Sequence, residues 1–269
     1  MRTTEKLCLT VRHSKYLKQA DWAWDTIRPV YDRLVSFAGK KGLERVVNGT
    51  DAILVMPKFR CLTEQYEPDV WSNLMKDMRP GDTFVDVGVF IGLYTIAAAK
   101  RVGAAGQVVG FEPDPNNYLT AREHVRLNRL EERIELIQAA VGACDEIVSF
   151  RAGGEMAHVA SERGNGTCEV ECVTLDSIFT GKRVDVLKID VEGFEERVLQ
   201  GARNILTDVE RFPRAIYIEA HPYAWPEIGT TSDSLVGLLD NCGYEARTIE
   251  GQAIESIAAY GEIVARKRR

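Results

Sequence analysis

At 269 residues the chain can hold one large core with an accessory segment, which argues against two equal domains. A hydrophobic fraction of 45% with 28% charged residues excludes disordered, fibrous and membrane compositions. The formal net charge of −6 excludes general binding to nucleic acid or anionic membranes, because both require Lys and Arg to neutralise phosphates.

The first stretch, "MRTTEKLCLTVRHSK", has no apolar run fit for a secretory signal, and nowhere do about 18 apolar residues follow one another. No membrane span is expected, and a cytoplasmic protein is predicted. Residues 15–42 show helical spacing at Trp24, Ile27, Tyr31, Leu34 and Val35, with Pro29 weakening continuity. "LERVVNGTDAILVMPKF" predicts two strands about Asn48-Gly49, a strong hairpin signal. Residues 1–80 are therefore expected to form an accessory helix and hairpin, and 81–269 the main domain.

Beyond residue 80, strands alternate with helices. The pattern predicts a strand at 83–87, a helix at about 92–101, a strand at 107–113, a helix at 117–130 and a strand at 133–142. Such alternation implies an α/β fold with a Rossmann-like, doubly wound, mostly parallel sheet. Residues 143–184 interrupt it with antiparallel strands around a polar Gly-rich loop at 152–167, where His158 reads as a lid residue or an exposed side chain. The rhythm resumes with a strand at 184–191, a helix at 193–206, a strand at 214–221, a helix at 231–242 and two final strands. The six cysteines lack a CxxC pair and read as free core thiols. The basic run Arg266, Lys267, Arg268 and Arg269 reads as a solvated tail.

"VDVGVFIG" puts Asp86, Gly88 and Gly92 just after the first parallel strand, where a doubly wound sheet places its ligand. Tight packing of the turn is the structural alternative for these glycines. Glu112 ends the next strand and can accept hydrogen bonds from ribose hydroxyls. The turn lacks both the full G-x-G-x-x-G and the Lys-Ser/Thr of a P-loop, which disfavours NAD and ATP and favours S-adenosyl-L-methionine.

"FVDVGVFIGLYTIAAAK", "VVGFEPDPNNYLTAREHVRLN", "AAVG", "VTLDSI", "LKIDVEGFEERVLQGA" and "IEAH" resemble, in order and spacing, the FkbM family of S-adenosylmethionine-dependent methyltransferases. The resemblance covers roughly residues 64–221. It implies a class I methyltransferase sheet with its last strand antiparallel, acting on oxygen, typically a hydroxyl of a sugar, glycolipid or natural product. It also implies that Asp86, Gly88 and Gly92 line the methionine and ribose side, that Glu112 holds the ribose, and that Gln138 and Ala139 lie near the adenine. The family's usual Ala-Asn in the first turn is Val89-Phe90 here. That departure keeps open an altered cofactor site, and with it a non-catalytic member of the fold that binds a glycan or a protein partner.

Methyl transfer to a hydroxyl needs alignment and a base or a metal to manage the hydroxyl proton. The candidates lie in "VLKIDVEGFEERVL" and "IEAHPYAW". Asp190 ends its strand toward the methyl position, while Glu192 precedes a helix and reads as its cap. Lys188 reads as the counter-charge of a neighbouring carboxylate, or as the stabiliser of a developing alkoxide. Glu219 and His221 share the rim of the next strand, where His221 is a general base, a substrate contact or a structural group. Tyr223 and Trp225 would stack on a sugar ring or pack in the core. A divalent metal on Asp190, Glu219 and His221 is chemically reasonable, but the spacing spans two strands and no metal is assigned. The expected partner is a hydroxyl-bearing small molecule or glycan, not nucleic acid. A homo-oligomer is compatible with the sequence.

Overall fold

The computed structural model describes residues 41–268, apart from 60, 61, 63, 152, 154–157 and 160–166; before residue 41 it describes Pro29 and Arg33 alone. The helix expected over 15–42, Cys8, Cys61 and most of the Gly-rich loop lie outside the described residues. By its contacts the chain divides into Met1–Tyr66 and Glu67–Arg269.

In the first unit β1 (Leu43–Val47) pairs antiparallel with β2 (Asp51–Val55), Val47 facing Asp51. Asn48 and Gly49 take φ of 49° and 70°, a region that Asn and Gly tolerate, so this pair makes the turn.

The second unit opens with the helix Pro68–Asp77, so residues 67–80 go with the sheet rather than with the hairpin. It continues through β3 (Thr83–Val87), the helix Leu93–Val102, β4 (Gln107–Phe111), the helix Pro115–Asn128 and β5 (Ile134–Ile137). An insertion follows, made of β6 (Ala140–Val141), β7 (Glu146–Arg151), β8 (His158–Val159) and β9 (Thr167–Val173), which form their own sheet in the order β6-β9-β7-β8. Then come β10 (Val186–Ile189), β11 (Ala215–Ala220), the helix Ser232–Asn241, β12 (Tyr244–Thr248) and β13 (Gly261–Lys267).

The main sheet has the order β12-β13-β11-β10-β3-β4-β5. The strands β11, β10, β3, β4 and β5 run parallel, and β13 runs against both its neighbours. This is the expected Rossmann-like α/β sheet with an antiparallel last strand. Every residue of β10 is buried, and strands covered on both faces read as continuous apolar runs. Among the described residues no helix is long and apolar enough to cross a membrane.

Several sequence expectations need correction. The single strand read over 133–142 is two strands in two sheets, parted at Gln138 and Ala139. The helix read over 193–206 is two, Glu195–Gln200 and Arg203–Thr207. The basic run is not a free tail: Arg266 and Lys267 close β13. Arg266 pairs with Asp77 at 2.7 Å, and the Lys267 ammonium donates to the Cys242 carbonyl at 2.8 Å. Of the described thiols Cys172 and Cys242 are buried, whereas Cys144 and Cys168 are exposed. His158 is half-buried in β8, paired with Arg151, rather than exposed.

A buried charge cluster closes the amino ends of the parallel strands. Asp82, Asp185 and Arg214 stand just before β3, β10 and β11. One Arg214 nitrogen pairs with Asp82 and another reaches Asp185 at 3.3 Å. Asp185 also accepts the Thr83 N–H at 2.9 Å, and Asp82 the Arg79 N–H at 2.7 Å.

Candidate active site at the carboxyl ends of the strands

The turn after β3 is wedged between its two neighbouring strands. The N–H groups of Gly88 and Val89 donate to the Phe111 carbonyl at 3.0 and 3.1 Å, and the Asp190 N–H donates to Val87 at 2.9 Å. Gly88 has a φ of 91°, and a Cβ on it would stand 1.8 Å from the Asp190 carbonyl oxygen. The protein's own backbone thus demands glycine there. Gly92, at a φ of 87°, starts the helix Leu93–Val102. Val89 is buried against Gly110 of β4. Phe90 carries a positive φ of 51°, a conformation that Asn adopts more readily than Phe.

That strained residue serves Glu112. The Phe90 N–H donates to one Glu112 oxygen at 2.7 Å, and the Asp114 N–H to the other at 2.9 Å. Burial pushes the Glu112 carboxyl up to about 7, with the two backbone N–H groups opposing the shift. The Asn117 side chain also hydrogen-bonds this carboxylate, whose remaining lone-pair capacity can accept from a ribose hydroxyl. Gln138 stands exposed at the end of β5, whereas Ala139 is fully buried in the core.

Asp86 is tied beneath the turn rather than opening onto it. It is 1% exposed, accepts the Thr95 hydroxyl through Oδ2, and leaves Oδ1 buried without a hydrogen-bond partner. Burial raises its carboxyl pKa, against the pull of Lys188. Lys188 stands beside Asp86 in the register of β10 on β3. Its ammonium donates to Asp190 Oδ2 at 2.9 Å and lies 4.9 Å from the Tyr94 ring centre. Burial alone would lower the Lys188 pKa, but Asp190, Asp86 and Glu219 outweigh it and hold the ammonium charged. Burial, with Glu219 adding to it, raises Asp190 to about 7 despite Lys188.

His221 continues from the end of β11 into the same rim. Its ring is 2% exposed, and Nδ1 donates to Glu195 Oε1 at 2.7 Å. Glu195 is fully buried and also accepts Gly193 N–H at 2.9 Å and Trp225 Nε1–H at 2.8 Å. On the other side of the ring, Nε2 faces Glu219 at 3.6 Å and Glu192 at 3.7 Å. Burial would depress His221, but Glu195 and Glu219 outweigh it and raise it to about 10. Glu219 goes the other way: burial alone would raise it, yet His221, Lys188 and Tyr260 bring it to about 2.

The rim gathers Asp190, Glu219 and His221, with one ligand atom of each within 4.8 Å of the others. Tyr260 donates to Glu219 and Tyr223 to Glu192, and both rings are more than half exposed beside His221. One expectation fails here. Glu192 caps no helix; it sits at a φ of 51° and turns its carboxylate to Tyr223. Of the two readings of Trp225, core packing holds: it is buried on Glu195 and offers no face for stacking. Sequence reasoning missed Glu195 and Tyr260. Glu195 lies in an ordinary acidic first turn, and Tyr260 lies 41 positions from its partner.

The Methyltransferase FkbM domain profile matches residues 86–246. Ribosomal protein L11 methyltransferase of Bacillus cytotoxicus is 38% identical over 81 residues, which is 28% of this chain and only 25% of that protein. A methyltransferase FkbM structure from Methylobacillus flagellatus KT is 18% identical, covers 71% of this chain and 44% of its own, and superposes with a TM-score of 0.45. A SAM-dependent O-methyltransferase from Thermotoga maritima is 16% identical, with coverage of 76% and 67% and a TM-score of 0.43. With the family profile spanning more than half of the chain, from the Asp86 turn past the His221 rim, the protein belongs to the FkbM methyltransferase family.

Proposed function

We propose that this chain is an S-adenosylmethionine-dependent O-methyltransferase acting on a hydroxyl of a sugar, glycolipid or natural-product acceptor. The observation that carries this reading is the junction of turn and rim. The Asp190 backbone bonds to the end of β3, and its side chain belongs to the same charged cluster as Glu219 and His221.

The residues suit the cofactor. Glu112 offers a paired acceptor for the ribose hydroxyls. The turn from Gly88 to Gly92 leaves the carboxyl end of β3, where a doubly wound sheet holds its ligand, with Gln138 at a nearby strand end for the adenine side. Carboxylates predominate at the rim, which favours a cationic sulfonium. When bound, the cofactor supplies an activated methyl carbon for in-line displacement.

The chain's own groups handle the acceptor. A hydroxyl held between Asp190 and His221 Nε2 lies beside the turn, and its proton passes to the carboxylate cluster. Asp190, at about 7, has the affinity that suits a base near neutral pH. Lys188 keeps Asp190 oriented and balances its charge. Glu195 fixes the tautomer and direction of His221, the role a buried carboxylate plays behind a working histidine. Tyr223 and Tyr260 supply exposed rings at the mouth, a chemistry suited to a sugar face.

A methyl-transfer assay with labelled S-adenosylmethionine across sugars, glycolipids and polyketide-type alcohols tests the proposal. Label should appear as an O-methyl ether in at least one hydroxyl acceptor, and Asp190→Asn should lower the rate roughly a hundredfold or more. Label found on nitrogen, or full activity in the variant, contradicts it.

A further inference from the structure

The histidine at the rim has an unusual environment. Its Nδ1 proton is committed to Glu195, so in the neutral ring Nε2 carries a lone pair. That atom belongs to a side chain 2% exposed, and among the described residues it has no hydrogen bond within normal distance. What faces it are the carboxylate oxygens of Glu219 and Glu192, at 3.6 and 3.7 Å. The gap between these atoms calls for a positive charge, either the Nε2 proton of a charged ring or a cation that displaces that proton.

The charges around the gap point the same way. Asp190, Glu192 and Glu219 surround it, with Glu195 behind the ring, while Lys188 is the one ammonium among the described contacts of the cluster and is already engaged on Asp190 Oδ2. Asp190 retains its other oxygen. The three ligand atoms of Asp190, Glu219 and His221 span at most 4.8 Å, about twice the bonds of ~2.1–2.4 Å that divalent cations make to oxygen and imidazole. Behind the histidine stands Glu195, as a carboxylate commonly stands behind a metal-bound imidazole.

From this geometry we infer that Asp190, Glu219 and His221 Nε2 form a site for one divalent cation of the Mg2+ or Mn2+ class. Mixed oxygen and imidazole donors suit this class, and three protein ligands leave positions open for an acceptor's hydroxyl oxygen. The inference rests on the proposed acceptor site and sharpens it. With the cation in place, Asp190 and Glu219 act as ligands, and Glu192, held by Tyr223, is the carboxylate left to take the hydroxyl proton.

Mn2+ titration of the chelator-stripped full chain, read by loss of the free-ion paramagnetic resonance signal, tests the site. One saturable Mn2+ per chain is expected. Its affinity should fall about tenfold or more in Glu219→Gln and in His221→Ala, and stay within about twofold in the exposed-surface variant Glu123→Gln. If circular dichroism shows His221→Ala unfolded, Glu219→Gln and Asp190→Asn decide. Absence of a saturable site in the wild type, or wild-type affinity in Glu219→Gln, overturns the inference and leaves the cluster bridged by a proton. Calorimetry with S-adenosylmethionine on the same stripped protein separates the two readings. Cofactor binding without a Mn2+ site sinks the cation alone, while a Mn2+ site without cofactor binding sinks the methyltransferase reading alone.

Discussion

Two charge clusters close opposite ends of one parallel sheet, and they are built differently. At the amino ends, two guanidinium groups meet two carboxylates: Arg214 pairs with Asp82 and Asp185, Arg183 pairs with Asp185, and the carboxylates also accept backbone N–H groups from Arg79 and Thr83. At the carboxyl ends, Asp190, Glu192, Glu195 and Glu219 crowd around His221 with Lys188 as ammonium. The first cluster balances itself and holds strands in place. The second carries an acidic excess, which is the state of a site that takes its complement from outside.

The largest effect should come from breaking the balanced end. Arg214→Ala leaves the buried Asp82 without its cation and Asp185 with Arg183 alone, and should cost roughly 3 kcal/mol or more in urea unfolding, while the folded fraction still binds cofactor. At the opposite end, Asp190→Asn should lose less than about 2 kcal/mol, because burial already disfavours the ionised Asp190, yet it should abolish most methyl transfer. Equal stability losses at the two ends would erase the contrast.

A pH series sharpens the cofactor side. The folded Glu112 value of about 7 lies above its ordinary 4.5, so the folded state binds the extra proton between these values. The stability contributed by this group is present below about 4.5 and is lost as pH rises through about 7. Ribose hydroxyls donate to the ionised form. Cofactor affinity should therefore fall about tenfold per pH unit below about 7, and calorimetry on Glu112→Gln should show weaker binding without that slope.

The smallest effect concerns Phe90. Both Phe90→Asn and Phe90→Val remove the half-buried ring, so their difference isolates the backbone at its positive φ. Asn should be the more stable by about 1 kcal/mol in denaturant midpoints, since a β-branched residue resists that conformation.

The sheet was legible because its signals are local. "TFVDV" and "VLKI" are apolar runs bounded by turn residues, and they fold as β3 and β10. The break inside 133–142 was hidden, because a strand that leaves one sheet for another keeps its apolar character. The basic run at 266–269 looked solvated because its partners Asp77 and the Cys242 carbonyl are distant in sequence. At the site, Asp190, Glu219 and His221 were readable from their strand-end positions. Glu195 was not, because what distinguishes it from a solvated helix-start glutamate is contact with His221 and Trp225, 26 and 30 positions away. Glu192 was misread for the same reason: Tyr223, 31 positions on, draws its carboxylate away from the helix.

The central claim is that the turn at Gly88 and the Glu112 carboxylate hold S-adenosylmethionine beside the charged rim. Calorimetric titration of the full chain with S-adenosylmethionine tests it most directly. Saturable one-to-one binding, weakened about tenfold or more in Glu112→Gln, is the predicted result. No heat of binding at millimolar cofactor, or unchanged affinity in the variant, contradicts it.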